Sequence, residues 1–151
     1  GGHSLQLHAP AIVSSKRLKE ELLSDPAIQQ VFSMYHKLDV LINSFGCLTS
    51  PKASFLSSGY FREEDIEEIR RSRIEYDIAS AIYLDEFGEK RNLEVLDRTV
   101  GIQESNYLNT PERIALAGGL EKQKPTYYIA RSGYSNILII DEQIAEYLLK
   151  K

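Results

Sequence analysis

The sequence predicts an α/β fold of three layers, α/β/α, built around a mostly parallel sheet. Short apolar segments alternate along the 151 residues with segments whose apolar side chains recur at helical spacing. This repeated order of strand and helix is typical of a parallel sheet with helices on both faces. The length and the 42% hydrophobic content suit one globular domain.

The N-terminal third is predicted to hold two strands and two helices. The apolar run Ala11–Val13 is a possible buried strand, and Ser14 and Ser15 after it are the candidate N-caps of a first helix. Apolar spacing predicts a second helix over residues 26–37, which an Asp-Pro pair opens. A strand over Leu38–Phe45 follows, and Gly46 ends it.

The middle of the chain changes from loop to helix to strand. Residues 46–61 form the longest loop-like stretch, and long loops in compact domains are often functional. A polar helix with a narrow apolar stripe is predicted over Arg62–Arg73. A single strand is predicted over Tyr76–Leu84, because its residues are β-branched, aromatic or small. After a turn at 85–88, residues 93–101 are expected to return as an edge strand or an irregular arm.

The C-terminal third repeats the order of strand and helix. Arg113–Ala117 is predicted as a short strand, and Asn136–Ile140 as a strand buried on both faces because it is almost wholly apolar. The other predicted elements are a short helix over 103–108, a helix over 120–131 with Pro125 in its first turn and Gly133 as its C-cap, and a last helix opening at Asp141.

Composition excludes several classes of protein. Eighteen basic against twenty-two acidic residues leave a net charge of −4, which disfavours direct nucleic-acid binding because such proteins usually carry a basic face. The longest aliphatic run is Ile137–Ile140, whereas a membrane span needs roughly 18 apolar residues. The N-terminus does not have the pattern of a signal peptide. A single cysteine fits a reducing compartment, so a cytoplasmic location is expected.

Metal binding and thiol catalysis are not expected. His3, His8 and His36 lack the spacing of metal ligands. Cys47 has no predicted histidine partner, so we interpret it as a partly buried free thiol rather than a nucleophile.

The best local signal for a ligand is a double glycine between a strand and a helix. Gly118 and Gly119 end the predicted strand, and Lys122 lies in the first turn that follows. Free amides and the helix dipole favour an anion there, and the ammonium of Lys122 suits phosphate. The alternative is a tight turn with a solvated lysine. Ligands in parallel sheets gather at the carboxyl ends of strands, which are predicted at Phe45-Gly46, Leu84-Asp85, Ala117-Gly118-Gly119 and Ile140-Asp141.

Asp77 is the second candidate, because it lies beside apolar Ile78 in a predicted strand. Such a carboxylate bonds a partner or accepts a ligand hydroxyl, and the alternative is an exposed acid on an edge strand. Both interpretations stay open. Hydroxyls near Gly46 either contact a polar ligand or belong to an ordinary loop: Ser44, Thr49, Ser50, Ser57 and Ser58.

Several segments together match one family in order and spacing. They are Leu7–Val13, Leu23–Ile28, Ser58–Phe61 with Glu64-Asp65, Tyr76–Ile78, Arg98–Ile102, Ala115–Lys122, Arg131–Gly133 and Asn136–Glu142. A match at any one segment is weak evidence for a family. Together, however, the segments match in the same order and spacing and cover almost the whole chain. The sequence resembles the sugar-binding effector domain of SorC-type bacterial transcription regulators, also described as DeoR-like.

The resemblance implies a fold related to ribose-5-phosphate isomerase, glucosamine-6-phosphate deaminase and the CoA transferases. It implies no catalysis and no cofactor: a phosphorylated sugar binds, and an oligomeric regulator, a homodimer or homotetramer, changes its hold on operator DNA. By matching position, Lys122 after Gly118 and Gly119 corresponds to the phosphate end, Asp77 to the acid that contacts the sugar, and Gly46 to a pocket-lining glycine.

The chain departs from the family pattern at these same places. Tyr76 stands where a glycine usually precedes the acid, Ser44 replaces the first glycine of a Gly-x-Gly, and Lys124-Pro125 replace residues that continue the helix. Family members also carry an N-terminal helix-turn-helix domain and a first strand-helix unit with another phosphate loop. Residues 1–151 begin after both, so we expect one partial effector domain, a fragment of a longer regulator rather than a shortened natural relative.

Two other functions stay open. A sugar-phosphate isomerase or deaminase of the same broad fold needs a general base, for which Asp77 and Glu121 are the candidates. A purely structural oligomerisation module would bind no sugar phosphate.

Overall fold

The strands are divided between two sheets. The computed structural model describes residues 1–50 and 59–151. The strands within these residues are β1 (Val40–Asn43), β2 (Phe45–Cys47), β3 (Ile74–Ile78), β4 (Ile82–Asp85), β5 (Lys90–Arg91), β6 (Glu112–Ala117) and β7 (Ile137–Ile140). A parallel sheet has the order β1-β6-β7, and an antiparallel sheet has the order β2-β3-β4-β5. The predicted α/β class with a parallel sheet is confirmed, and the antiparallel sheet is an addition to it.

The segment predicted as one strand over Tyr76–Leu84 is a β-hairpin. Its two strands, β3 and β4, pair antiparallel, and Ala79 and Ser80 between them have positive φ angles of 52° and 57°. The single-strand prediction is wrong because the apolar pattern continues across the turn: Ile78 and Ile82 are both fully buried. The turn also lacks the glycine or asparagine that usually marks a positive φ.

The chain changes sheets at Ser44, within the strand predicted over Leu38–Phe45. β1 pairs with β6, whereas β2 pairs antiparallel with β3. Gly46 is therefore inside β2, opposite Asp77, and does not end a strand. Leu84-Asp85 likewise belongs to the antiparallel sheet, so it does not lie at the carboxyl edge of the parallel one.

The helices begin and end close to their predicted positions. They are α1 (Lys16–Ser24), α2 (Pro26–Met34), α3 (Glu63–Arg71), α4 (Glu104–Asn109), α5 (Gln123–Ser132) and α6 (Glu142–Leu148), with 3-10 turns at Tyr35–Lys37, Glu94–Arg98 and Leu120–Lys122. Of the two predicted N-cap candidates Ser15 caps α1, and Gly133 ends α5 in the left-handed conformation, as predicted. Pro125 lies in the first turn of α5, where its missing N–H costs no hydrogen bond. In the described part of the chain, no helix is both long and apolar enough to cross a bilayer.

The two faces of the parallel sheet have different surroundings. On one face, Ala115 is fully buried in a core cluster with Ile78 of the hairpin, Tyr107 of α4 and Ile129 of α5. The opposite face, called here the open face, carries aliphatic residues that are 38–63% exposed: Val40, Ile42, Leu116, Ile137 and Ile139. The prediction that Asn136–Ile140 is buried on both faces is therefore wrong, because residues 1–50 and 59–151 supply a helix layer on one face alone.

A buried ion pair holds the N-terminal arm. Ile12 forms a single antiparallel bridge with Thr99, so the first predicted strand is reduced to one bridge. Arg98 donates to the carbonyl oxygen of Val13 at 3.0 Å and also to the carboxylate of Asp65. Both charged side chains are less than a tenth exposed. The arm is therefore fixed to α3, which carries Asp65, through Arg98.

Replacing Arg98 by alanine is expected to lower the free energy of unfolding by about 3–5 kcal/mol, because the buried carboxylate of Asp65 loses its charged partner and keeps only the backbone N–H of Arg62. Urea denaturation followed by circular dichroism measures this cost. Lys16→Ala is the control, because it removes an exposed ion pair with Asp97 and is expected to cost less than about 1 kcal/mol. Equal costs for the two variants would contradict the role assigned to the buried pair.

Candidate functional site

The centre of the candidate site is a close approach between Gly46 and Asp77, which are cross-strand partners in β2 and β3. The Asp77 side chain is buried, with 7% of the residue exposed, and its Oδ1 atom has no hydrogen-bond partner. A Cβ atom on Gly46 would lie 1.9 Å from that oxygen, so glycine is needed to leave room for the carboxylate. An unpartnered polar atom at such a depth opposes folding and is a typical feature of a ligand site.

The environment of Asp77 makes its protonation depend on pH. Burial raises the pKa of Asp77 to about 6, because the charged form loses its hydration. The backbone amides of Ser80 and Gly46 and the ammonium of Lys122 favour the charged form and limit this rise in pKa. Asp77 is thus mostly ionised at pH 7 and binds a proton as the pH falls through about 6.

Lys122 reaches the same place from the 3-10 turn that precedes α5. Its ammonium donates to the backbone carbonyl of Phe45 and lies 5.1 Å from the centre of the Phe45 ring. Lys122 therefore ties the segment after β6 to β2, and its charge lies close enough to Asp77 to lower the pKa of that carboxyl. Three of the predicted site residues, Gly46, Asp77 and Lys122, are thus brought together at the junction of the two sheets.

Gly118 and Gly119 follow β6 directly, and the carboxylate of Asp141 lies against them. The Gly119 N–H donates to Oδ2 of Asp141 at 2.6 Å, and the Ile144 N–H donates to Oδ1 at 3.0 Å, so Asp141 also caps α6. These hydrogen bonds, that of Gly119 first, lower the pKa of Asp141. The Gly119 amide, which the sequence suggests for an external anion, is therefore already bonded to a carboxylate of the chain.

Asp141 is the site residue that the sequence analysis did not select. Its position in the sequence could have indicated this role, because Asp141 directly follows β7. The carboxyl ends of the neighbouring parallel strands β6 and β7 lie at the same edge of the sheet, which brings Asp141 close to Gly119. Glu121 adds a second carboxylate, whose Oε2 lies 3.2 Å from the place of a Cβ on Gly119. The carboxylates of Glu121 and Asp141 thus lie against Gly119, whereas that of Asp77 is the one that interacts with Lys122.

Tyr76, where the family usually has a glycine, does not fill this site. Its side chain is fully buried in the main core and stacks on Tyr128 with ring centres 5.8 Å apart and an interplanar angle of 22°. Successive residues of a strand point to opposite faces, so the Tyr76 ring points away from the side of Asp77. The large side chain is accommodated by the core.

The remaining candidates do not join the cluster. Cys47 is a half-buried free thiol, with its Sγ atom 3.4 Å from Oγ1 of Thr49. Ser57 and Ser58 lie outside the described residues. In the ranges 1–50 and 59–151, no group of three or more His, Cys, Asp and Glu side chains could hold a metal ion.

The fold is of the α/β class, and Gly118, Gly119 and Asp141 lie where strands β6 and β7 of its parallel sheet end. The model of a protein family described as "Putative sugar-binding domain" matches residues 1–150 of the chain. The chain belongs to this family, which confirms the resemblance to sugar-binding domains of transcription regulators.

The relatives of the chain are bacterial transcription regulators. The Deoxyribonucleoside regulator of Bacillus subtilis (strain 168) is 24% identical over 143 residues, which are 95% of this chain and 45% of that protein. The solved structure of a DeoR family transcriptional regulator from Listeria monocytogenes gives a TM-score of 0.84 at 27% identity and covers 97% of this chain and 58% of that one. The full-length sorbitol operon regulator SorC from Klebsiella pneumoniae gives a TM-score of 0.82 at 19% identity, over 93% of this chain and 45% of that one, and shows the shared fold. The chain spans about half the length of the curated relatives it matches.

Gly46→Ala is expected to lower the free energy of unfolding by about 1–3 kcal/mol, because the added methyl group overlaps Oδ1 of Asp77. Chemical denaturation at pH 7 measures the change. In an Asp77→Ala background the same substitution should cost clearly less, because the colliding oxygen is absent. If Gly46→Ala lowers the free energy of unfolding equally in both backgrounds, the overlap with Asp77 is not the cause of the destabilisation.

Asp77→Asn is expected to remove a pH dependence of stability. The folded pKa of about 6 exceeds the ordinary value of 3.8, so the folded chain binds more protons than the unfolded chain between these values, and its stability falls as the pH rises from about 4 to about 6. At pH 7 the loss amounts to about 3 kcal/mol, which the neutral amide avoids. Urea denaturation of both proteins across this range provides the measurement. If the difference in free energy of unfolding between the wild-type chain and Asp77→Asn does not change with pH, the pKa of Asp77 is not raised.

Proposed function

We propose that this chain is the effector-sensing part of a transcription regulator and that its effector is a phosphorylated sugar. Binding changes how the full-length regulator, a cytoplasmic homodimer or homotetramer, holds operator DNA through a helix-turn-helix domain outside this chain. The observation that carries the proposal is Asp77, a buried carboxylate with an unpartnered oxygen beside the ammonium of Lys122. A sugar hydroxyl that donates to this oxygen satisfies the atom that folding leaves without a partner.

The phosphate of the proposed ligand approaches Lys122 and the amides of Gly118 and Gly119. The Asp141 carboxylate must leave the Gly119 N–H first, because it holds the donor that the phosphate would use and repels it. Asp141 is exposed, so it can turn towards water without a large desolvation cost. Since Asp141 also caps α6, this exchange links ligand binding to the start of that helix.

Catalysis is the less favoured function. A general base needs a defined contact with the substrate and a pKa near the working pH. Asp77 has a pKa of about 6, but its nearest groups are an ammonium and backbone amides, with no second carboxylate or imidazole among the groups that shift its pKa. The named relatives are transcription regulators. We therefore propose that the chain binds its sugar without transforming it.

A thermal-shift panel on the full-length regulator that contains this chain tests the proposal. The probes are ribose 5-phosphate, fructose 6-phosphate and glucosamine 6-phosphate, each beside the same sugar without phosphate. A ligand that binds the native state must raise the melting temperature at saturation, so we expect at least one sugar phosphate to raise it more than its free sugar does. The proposal would be contradicted if none of the three sugar phosphates raises the melting temperature. Product analysis of the same mixtures separates binding from turnover.

Variants of the two charged residues sharpen this test. Lys122→Ala should weaken binding of the active phosphate by about 10–150-fold, the equivalent of a charged hydrogen bond of roughly 1.5–3 kcal/mol. Lys124→Ala is the matched control, because Lys124 pairs with Glu75 at 3.0 Å on the exposed surface. Asp141→Asn keeps a helix-capping side chain but removes the competing charge, so it should tighten phosphate binding. Calorimetry that shows equal affinities for all of these proteins would remove Lys122 and Asp141 from the site.

A further inference from the structure

A separate cavity lies beside the two N-terminal helices. It has a volume of about 200 Å³ and lies between α1, α2, the turn of the β3-β4 hairpin and the start of α4. None of the described residues that line it belongs to the candidate sugar site, which is built around Asp77 and Lys122. Drug-sized ligands occupy about 300–1,000 Å³, so this cavity suits a smaller molecule.

Apolar side chains form much of the wall of this cavity. They come from α1, α2, the 3-10 turn Glu94–Arg98 and the loop before α4, and they are Leu23, Phe32, Leu96 and Ile102. Gly101 leaves an opening between them, because a Cβ atom built on it would meet no heavy atom of the described residues within 4 Å. Small-molecule sites are usually apolar cavities with a few polar groups. The cavity therefore suits a ligand with a small apolar body.

Lys19 brings a positive charge to the cavity. Its ammonium uses one of its three N–H donors on the carbonyl oxygen of Leu96, at 2.9 Å, and the others are available to a ligand. Burial lowers the pKa of Lys19, and the attraction of Asp97 and Glu20 offsets this effect only in part. An anion beside the ammonium would supply the stabilisation that the lost hydration removes.

The other charged side chains of the cavity neutralise each other. Lys90 pairs with Glu104, which also accepts a hydrogen bond from the Tyr134 hydroxyl at 2.5 Å. Although burial opposes its charge, these hydrogen bonds lower the pKa of Glu104, so the pair stays ionised at neutral pH. The lining residues therefore carry one net positive charge, that of Lys19. A phosphate monoester carries a charge of about −1.5 to −2 at pH 7, which one ammonium does not balance and Glu104 repels.

We propose that this cavity binds a small monocarboxylate, whose carboxylate pairs with Lys19 and whose apolar body lies against Phe32 and Ile102. This ligand differs in chemistry from a sugar phosphate, and its binding does not require one. Ala81 of the hairpin turn also lines the cavity, so the ligand contacts both α1 and the hairpin that carries Asp77. The domain thus has a second small-molecule site.

Titration of the full-length regulator that contains this chain with simple acids tests the proposal. The probes are acetate, isovalerate, phenylacetate and benzoate, each beside its neutral amide, and calorimetry measures the affinities. We expect at least one acid to bind with a Kd of about 1 mM or tighter, and its amide to bind about tenfold more weakly or less. Lys19→Gln should weaken binding of that acid by about tenfold or more. Lys16→Gln is the matched control, because the Lys16 side chain lies on the same helix and is 64% exposed.

Two further measurements locate the bound acid. Gly101→Val fills the open space and should abolish binding, and its backbone tolerates valine because the φ angle of Gly101 is not positive. NMR of isotope-labelled isoleucine methyl groups reports the position directly. We expect the signal of Ile102 to shift with the acid and that of Ile139, on the open face, to stay in place. If Gly101→Val changes the circular dichroism spectrum, Lys19→Gln and the Ile102 signal decide.

Three outcomes overturn the proposal. The first is that no acid binds at about 10 mM, and the second is that Lys19→Gln and the Ile102 signal show no effect of a bound acid. The third is that Lys122→Ala, and not Lys19→Gln, removes acid binding, which would place the acid in the sugar site. None of these results depends on the binding of a sugar phosphate.

Discussion

The candidate site depends on the burial of one carboxylate, that of Asp77, at the junction of two sheets. Asp77 reaches this position because β2 leaves the parallel sheet and pairs with β3, with Gly46 directly opposite. The absent side chain of Gly46 makes the space, and the ammonium of Lys122 supplies the nearby opposite charge. A buried carboxylate opposes folding unless something compensates for its lost hydration. Because Oδ1 of Asp77 has no hydrogen-bond partner, the fold compensates for only part of the lost hydration. The hydroxyl of the proposed sugar would donate the missing hydrogen bond to this atom.

The second constraint is the contact between Asp141 and Gly119. One carboxylate satisfies two backbone amides, one in the turn after β6 and one at the start of α6. The contact stabilises the site in the absence of a ligand, and it occupies the donor that a phosphate would use. Under the proposed function, the free energy of this internal bond lowers the affinity for a phosphate, and a ligand that displaces Asp141 acts on α6 as well.

The open face is an aliphatic surface on which the described residues place no helix. The pattern of β7 is apolar on both sides, which is suited to a sheet between two helix layers, yet the described residues build one of those layers. Aliphatic residues such as Ile42 and Ile139 remain exposed, although full burial of one such side chain stabilises a fold by roughly 1.5–3 kcal/mol.

The sequence by itself determined the features that depend on neighbouring residues: the caps at Ser15 and Gly133, the helix positions, the short strand β6 and the family, which joint motif order identifies. Tertiary structure decided the rest. The hairpin turn at Ala79-Ser80 lacks the glycine or asparagine that usually marks a positive φ. The change of sheet at Ser44 leaves no mark in the apolar pattern, because strand pairing depends on partners distant in the chain. For the same reason, local pattern proposes Gly119 for an anion, whereas the fold gives its amide to Asp141, 22 residues away.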